Sequence, residues 1–231
     1  MFENELTQVF NEIVDGIDST IVGTYDVATN KTYFCDTKWL RVGKDVTMIS
    51  NGNEYRIIEI EYDNWVEWQQ ISGTSIVPLS GEISIPTPIK LSGTKIAANN
   101  EWRVSNLNVG AKTPLVWLLK ILSKNEYGRE DTRLFSSDLK VFFLDETDVT
   151  SFGSAEHTKQ VVYPMERLCE YFLKSIKSNR KYKTIDEYQK FYFDRFGVES
   201  ENGVVQNIID ANLSGVQLQL SLTKYKPNCK C

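Results

Sequence analysis

Apolar positions at the start of the chain recur at helical spacing: Phe2, Leu6, Val9, Phe10, Ile13 and Ile17. That stripe predicts an amphipathic helix over residues 1–17, with Gly16 as a suitable stop. Beyond it the period changes to two. Ile21, Val22, Tyr25 and Val27 run to a turn at Ala28-Thr29-Asn30-Lys31, and Thr32 to Cys35 return. Val46-Thr47-Met48-Ile49 reaches Asn51-Gly52-Asn53, and Glu54 to Glu61 follow. Asn-Gly between two β-rich runs is a strong hairpin signal. Trp65-Val66-Glu67-Trp68 opens the next strand after a turn at Tyr62-Asp63-Asn64. Short strands at this spacing predict a small β-barrel or curled meander over residues 18–90. Residues 71–100 are rich in Ser, Gly, Pro and Asn; they read as an excursion with one or two loosely defined strands, or as a surface arm.

The second half changes character again. Thr113 to Leu119 and Leu139 to Leu144 are continuous apolar runs suited to buried strands. Val161, Val162, Met165, Leu168, Cys169, Phe172, Leu173 and Ile176 form one stripe of a long helix over about 155–177. Pro164 either starts that helix or kinks it; in the latter case Ser154 is its cap. Tyr188, Phe191, Tyr192 and Phe196, ending at Gly197, predict a short aromatic helix, and an alternating strand closes the chain from Gly215 to Thr223. The fold class expected is α+β: an N-terminal helix and a small barrel or meander module, followed over residues 91–231 by a mixed sheet with packed helices.

Length and composition add bounds. A chain of 231 residues with 41% hydrophobic and 25% charged residues is ordinary for a globular protein and buries a core without staples. The net charge of −5 argues against a general nucleic-acid binder, though not against a local basic patch. The first thirty residues carry Glu3, Glu5, Glu12, Asp15, Asp18 and Asp26 and no Lys or Arg, which does not suit a secretory signal. No run approaches the roughly 18 apolar residues of a membrane span, so no membrane partner is expected and the chain is expected to be made and kept in the cytoplasm. Of the four cysteines, Cys169 lies on the apolar stripe as a small buried thiol. Cys35 sits in a strand-like run. Cys229 and Cys231 end the chain, reading as a reduced tail in preference to a metal site.

Candidate chemistry is sparse. His157 is the only histidine; Ser151, Ser154 and Asp148 are near it, but no G-x-S-x-G elbow precedes them. Asp145, Glu146 and Asp148 follow an apolar strand, where α/β enzymes often hold a divalent ion; the same residues also make an ordinary solvated loop. Gly43-Lys44-Asp45-Val46-Thr47 lacks the earlier glycines of a phosphate loop. No catalytic, cofactor-binding or metal-ligating residue is assigned, and no cofactor is expected. Lys174, Lys177, Arg180, Lys181 and Lys183 form a basic window without an acid. It either complements the negative end of the long helix or meets an acidic partner or phosphates. The acidic first helix matches it in sign. Among Trp39, Trp65, Trp68, Trp102 and Trp117, Trp65 and Trp68 sit three apart and cannot both face inward in a regular strand.

Several segments carry a family resemblance. They are Thr94 to Trp102 followed by Lys112 to Leu119; Val141-Phe142-Phe143-Leu144-Asp145 before a helix with Val162-Tyr163-Pro164-Met165; and Leu213 to Leu220. Together they resemble structural proteins of tailed bacteriophages that infect Bacteroides-like hosts, including the crAss-like group. The sheet-and-helix half is similar to tail terminator folds. The resemblance covers about residues 90–225 and leaves the β module outside it. It implies a virion protein in the neck or tail, a homo-oligomeric ring of six- or twelvefold symmetry, and portal-proximal and tail components as neighbours; in that setting the basic window faces either an acidic neighbour or DNA in the lumen. It carries no catalytic residue. Two readings of other classes stand beside it: a small metal-dependent hydrolase using Asp145, Asp148 and His157, and an adaptor that binds a peptide or sugar through Trp65 and Trp68.

Overall fold

The computed structural model describes residues 2–73, 76–105, 107, 109–119, 124–127, 134–147, 153–178, 182–199 and 205–225. In chain order the elements are α1 (Phe2–Asp15), β1 (Thr20–Asp26), β2 (Lys31–Phe34), β3 (Asp45–Met48), β4 (Glu54–Glu61), β5 (Trp65–Gln70), β6 (Gly81–Ser84), β7 (Ile89–Gly93) and α2 (Lys95–Val104). There follow β8 (Leu115–Leu119), β9 (Lys124–Tyr127), β10 (Leu134–Glu146), α3 (Ser154–His157), a π-helical turn (Thr158–Val162), α4 (Tyr163–Ser178), β11 (Tyr182–Phe193), β12 (Gly197–Glu199), β13 (Val205–Asn207) and β14 (Leu213–Tyr225). The fold is α+β.

Strands β1–β6 close into an antiparallel barrel in the order β1-β2-β5-β4-β3-β6. Period-two burial along β2 and β3 puts Thr32, Phe34, Val46 and Met48 inside, which is what alternation dictates for a strand with one wet face. The Asn51-Gly52 turn joins β3 to β4, and Gly52 has φ +74°, the left-handed backbone such a turn favours. The Ser/Gly/Pro-rich stretch is not an arm over its whole length. Its β6 pairs with both β1 and β3 and so closes the barrel, and its β7 lies on the edge of the second sheet.

The second sheet has the order β11-β14-β10-β8-β7, with β9 also paired to β10. Among the described residues only β7 and β8 are parallel, joined by the α2 crossover. Each face of this sheet is covered at least in part. Val116, Leu118, Val141, Phe143, Val216, Leu218 and Leu220 face α1 and α4 and share one continuous core with the barrel interior. Leu115, Trp117, Phe142, Leu144 and Leu213 face the other way, against Ala98 and Trp102 of α2 and against Phe196 and Ile209. Burial on both faces explains why β8 and the core of β10 read as unbroken apolar runs.

Three local expectations meet specific physics. The aromatic segment at 188–196 is not a helix: most of it is β11, paired to β14 from Tyr188↔Leu220 to Phe193↔Gly215. Tyr188, Lys190 and Tyr192 share one face and Gln189, Phe191 and Phe193 the other, so the period-two alternation of β-favouring residues prevails over the coincident helical spacing. The long helix does extend through Pro164, by way of the π turn. Tyr163 N–H donates to Thr158 O, one residue further back than in an α-helix. The carbonyl of Lys159 would then look to residue 164 for its donor, and proline has none. Tyr62 of the barrel fills the gap, its O–H donating to Lys159 O at 2.8 Å. Finally, the helix is capped by Gly153 without a side-chain bond, and Ser154 is its first residue.

Gly215 marks the tightest backbone approach in the second sheet. Its φ is +148°, and a Cβ there would lie 2.1 Å from Phe143 O. Gly215→Ala is expected to cost about 3 kcal/mol or more, through main-chain collision and strain. Chemical denaturation would show this as a lower midpoint with an unchanged slope.

Candidate functional site

The loop between β2 and β3, residues 35–44, reaches across to the second sheet. Arg41 grips Asp145 with two bonds, Nε to Oδ2 at 2.8 Å and Nη2 to Oδ1 at 3.0 Å. Lys44 Nζ lies 3.2 Å from Oδ1 of the same carboxylate. It also donates to Thr113 O, Thr113 Oγ1 and Gly110 O. Asp145 ends the apolar core of β10 and is 1% exposed. Burial alone would raise its pKa, but Arg41 and then Lys44 overcome that and hold it down at about 2. The same burial lowers the pKa of Lys44 despite Asp145, whereas Asp145 keeps Arg41 above its ordinary value against desolvation.

A second polar seam joins the same loop to α4. Tyr171 O–H donates to Asp36, and Arg167 Nη2 donates to Asp36 Oδ1 at 3.0 Å and lies 3.5 Å from Asp63 Oδ2. Tyr163 O–H donates to Asp63 at 3.2 Å. Trp39 packs edge-on against Tyr171 with centroids 5.7 Å apart, and its Nε1 donates to Pro86 O at 2.8 Å. Lys38 has φ +51° and is held there by bonds from Nζ to Asp18 O, Asp18 Oδ2 and Thr20 O. Nearly every polar side chain of the loop thus works as a fastener between barrel, sheet and helix.

His157 is buried, and its Nε2 shares a 2.7 Å hydrogen bond with Ser214 Oγ. Asp194 Oδ1 lies 3.6 Å from Nδ1. The three residue types are those of a hydrolytic triad, but the geometry is not that of a working one. Ser214 is 0% exposed, so its oxygen has no path to a carbonyl, and Asp194 is 99% exposed on its side chain, too loosely placed to orient the ring. Ser154, singled out beside His157 in the sequence, is exposed at the helix start. Asp148 and Ser151 lie outside the described residues.

Asp145 and His157 are therefore each satisfied internally by different partners, Arg41 and Lys44 for the one and Ser214 for the other, although Ser214 stands directly opposite Asp145 across β10 and β14. Among the described residues no group of three metal-ligating side chains occurs. No helix of the described residues is long and apolar enough to cross a membrane. A half-open groove of ≈450 Å³ crosses the distal part of the second sheet, lined by Leu119, Asp138, Lys140, Gln189, Gln219, Ser221 and neighbours; Ser221 O–H donates to Asp138 there, and no histidine lines it. Trp68 points into the barrel, edge-on to Tyr55 at 5.2 Å, and its Nε1 donates to Thr32 Oγ1. Trp65 points out, but Lys31 Nζ sits 3.0 Å from its ring centroid. Cys169 is buried and its thiol is pushed up to about 12 by desolvation. In the basic window, Lys174 and Lys177 are exposed on α4, Lys174 lying 4.3 Å from the Tyr171 ring centroid. Arg180 and Lys181 fall outside the described residues, as do Cys229 and Cys231.

Large aromatic side chains stay accessible at one edge of the second sheet, Tyr192 among them with its O–H donated to Glu166. Tyr188, Phe191 and Tyr192 are exposed on β11, and β11 is an edge strand that pairs with β14 alone among the described residues.

Two outcomes follow from this geometry. Asp145→Asn strands two buried cations and is expected to cost about 3–5 kcal/mol. A carboxyl held below its unfolded value adds stability that is complete above ~3.9 and is lost as the pH falls through about 2. The wild type should therefore lose stability over that acid window, and urea unfolding of Asp145→Asn should show a smaller acid dependence there. Ser214→Ala is expected to cost about 1–2 kcal/mol through the lost buried bond, and a fluorophosphonate probe is expected to leave Ser214 of the folded wild type unlabelled by mass spectrometry.

No known family model, curated protein or solved structure matches the chain.

Proposed function

We propose that this chain is a structural protein of a tailed bacteriophage, one of several copies that close into a ring in the neck or tail between portal-proximal and tail components. The observation that carries this reading is a division among its side chains. Groups able to do chemistry, Asp145 and His157, are buried and engaged inside the fold, while large aromatics are exposed along an edge strand. An enzyme shows the reverse, with reactive groups facing a cleft. An exposed aromatic edge suits contact with another chain. The ionic junction serves the same role, because it makes barrel and sheet one stiff body that transmits a load.

A hydrolase built on Asp145, Asp148 and His157 has Asp145 and His157 both buried and engaged by other side chains, with the serine between them, Ser214, closed off from solvent. An adaptor reading through Trp65 and Trp68 has one ring inside the barrel and the other beneath Lys31.

The test is light scattering with negative-stain imaging of the purified chain. Annular particles of six or twelve copies of the 26.5 kDa chain are expected. A strict monomer that also binds no neck or tail component overturns the proposal.

A further inference from the structure

We propose that copies of this chain join through their second sheets, the outer edge of β11 in one copy pairing with the outer edge of β7 in the next. This rests on the ring reading and names the contact that would build it.

Both edges are open. Among the described residues β11 pairs only with β14 and β7 only with β8, at opposite ends of one sheet. Ile89 N–H donates to Pro114 O on the β8 side, so by strand alternation the main-chain groups of Lys90 and Ser92 point outward. On β11, the irregularity between Thr184 and Tyr188 ends at Tyr188, leaving a regular stretch from Tyr188 to Phe193. Five residues of β7 therefore find a stretch of similar length.

The directions also match. β7 runs parallel to β8, β8 antiparallel to β10, β10 antiparallel to β14, and β14 antiparallel to β11. β7 and β11 consequently point in opposite senses. A neighbour that continues the sheet in the same orientation brings the two edges together antiparallel, the slightly more stable of the two ladders. Contacts between two different patches of this kind close into rings when the rotation permits.

The apolar surfaces fall on the same side. Phe191, 45% exposed, is on the face of the sheet that carries Phe193 and Phe142. That face is covered at the β7 end by α2, whose own outer side exposes Ile96 at 76% and Val104 at 80%. Continuing the sheet preserves its faces, so α2 of the next copy lies on the side of Phe191. A two-fold joint of β11 with β11 would instead leave β7, Ile96 and Val104 uncovered.

The experiment uses the full chain with Phe191→Asp and Ile96→Asp, both at exposed positions, with circular dichroism as the check on folding. Each variant alone is expected to self-associate about tenfold more weakly or worse than wild type in light scattering. An equimolar mixture should give a one-to-one dimer that grows no further, because one variant keeps a working β7 edge and the other a working β11 edge. Loss of association in Phe191→Asp alone would show a two-fold β11 joint and overturn the head-to-tail one. Rings that persist in both variants would also overturn it while leaving the ring reading intact. A wild type that stays monomeric would overturn this joint, and the ring reading falls with it only if the chain also binds no neck or tail component.

Discussion

The structure depends on one buried carboxylate. Asp145 sits where β10 leaves the core, and the barrel reaches it through Arg41 and Lys44. Two cations around one anion is a demanding arrangement in a medium that solvates charge poorly. It holds because the Arg41 fork meets the carboxylate with two bonds and because Lys44 has three further oxygens around its ammonium. Removing Asp145 leaves two buried cations without compensation. The relative position of barrel and sheet is thereby fixed sharply, which a purely apolar contact, tolerant of sliding, would not achieve.

The hydrophobic core repeats the same connection on a larger scale. Barrel residues such as Tyr55, Ile60 and Ile83 belong to one cluster with Phe10 and Ile13 of α1, Phe172 of α4 and Val216 of β14. α1 is anchored there by Phe10 against Phe172, and by Ser175 Oγ donating to Ile13 O at 2.6 Å. The acidic first helix thus has Val9, Phe10, Ile13 and Ile17 of its apolar stripe covered within its own chain. The other face of the sheet keeps a smaller core under α2, organised around Trp117 stacked on Phe142 at 5.2 Å.

Much of this was legible in the residues. The period of two over residues 18–90 announced a barrel or meander, the Asn51-Gly52 turn lay where it was read, and the apolar runs at Leu115 and Val141 are buried strands. Tyr188 to Phe193 misled because aromatic residues at that spacing satisfy two periods at once, and only pairing with β14 decides between them. The partners of Asp145 were invisible, since Arg41 and Lys44 lie about a hundred positions away and no spacing rule links them. One signal did exist: an acid that continues a fully apolar strand needs a counter-charge to stay there. Ser214, the partner of His157, gave no comparable sign. Nothing in its surroundings in sequence distinguishes it from an ordinary strand serine.

The hydrogen bond from Tyr62 to the Lys159 carbonyl has a wider consequence. A helix normally finds its donors in its own chain, yet here a turn of the long helix borrows one from a separate module because proline withholds it. The two modules are therefore not interchangeable parts on a common chassis. A foreign barrel grafted in the same place would have to bring a phenol to the helix and two cations to the sheet. Otherwise it would leave a dangling carbonyl in one and a naked anion in the other.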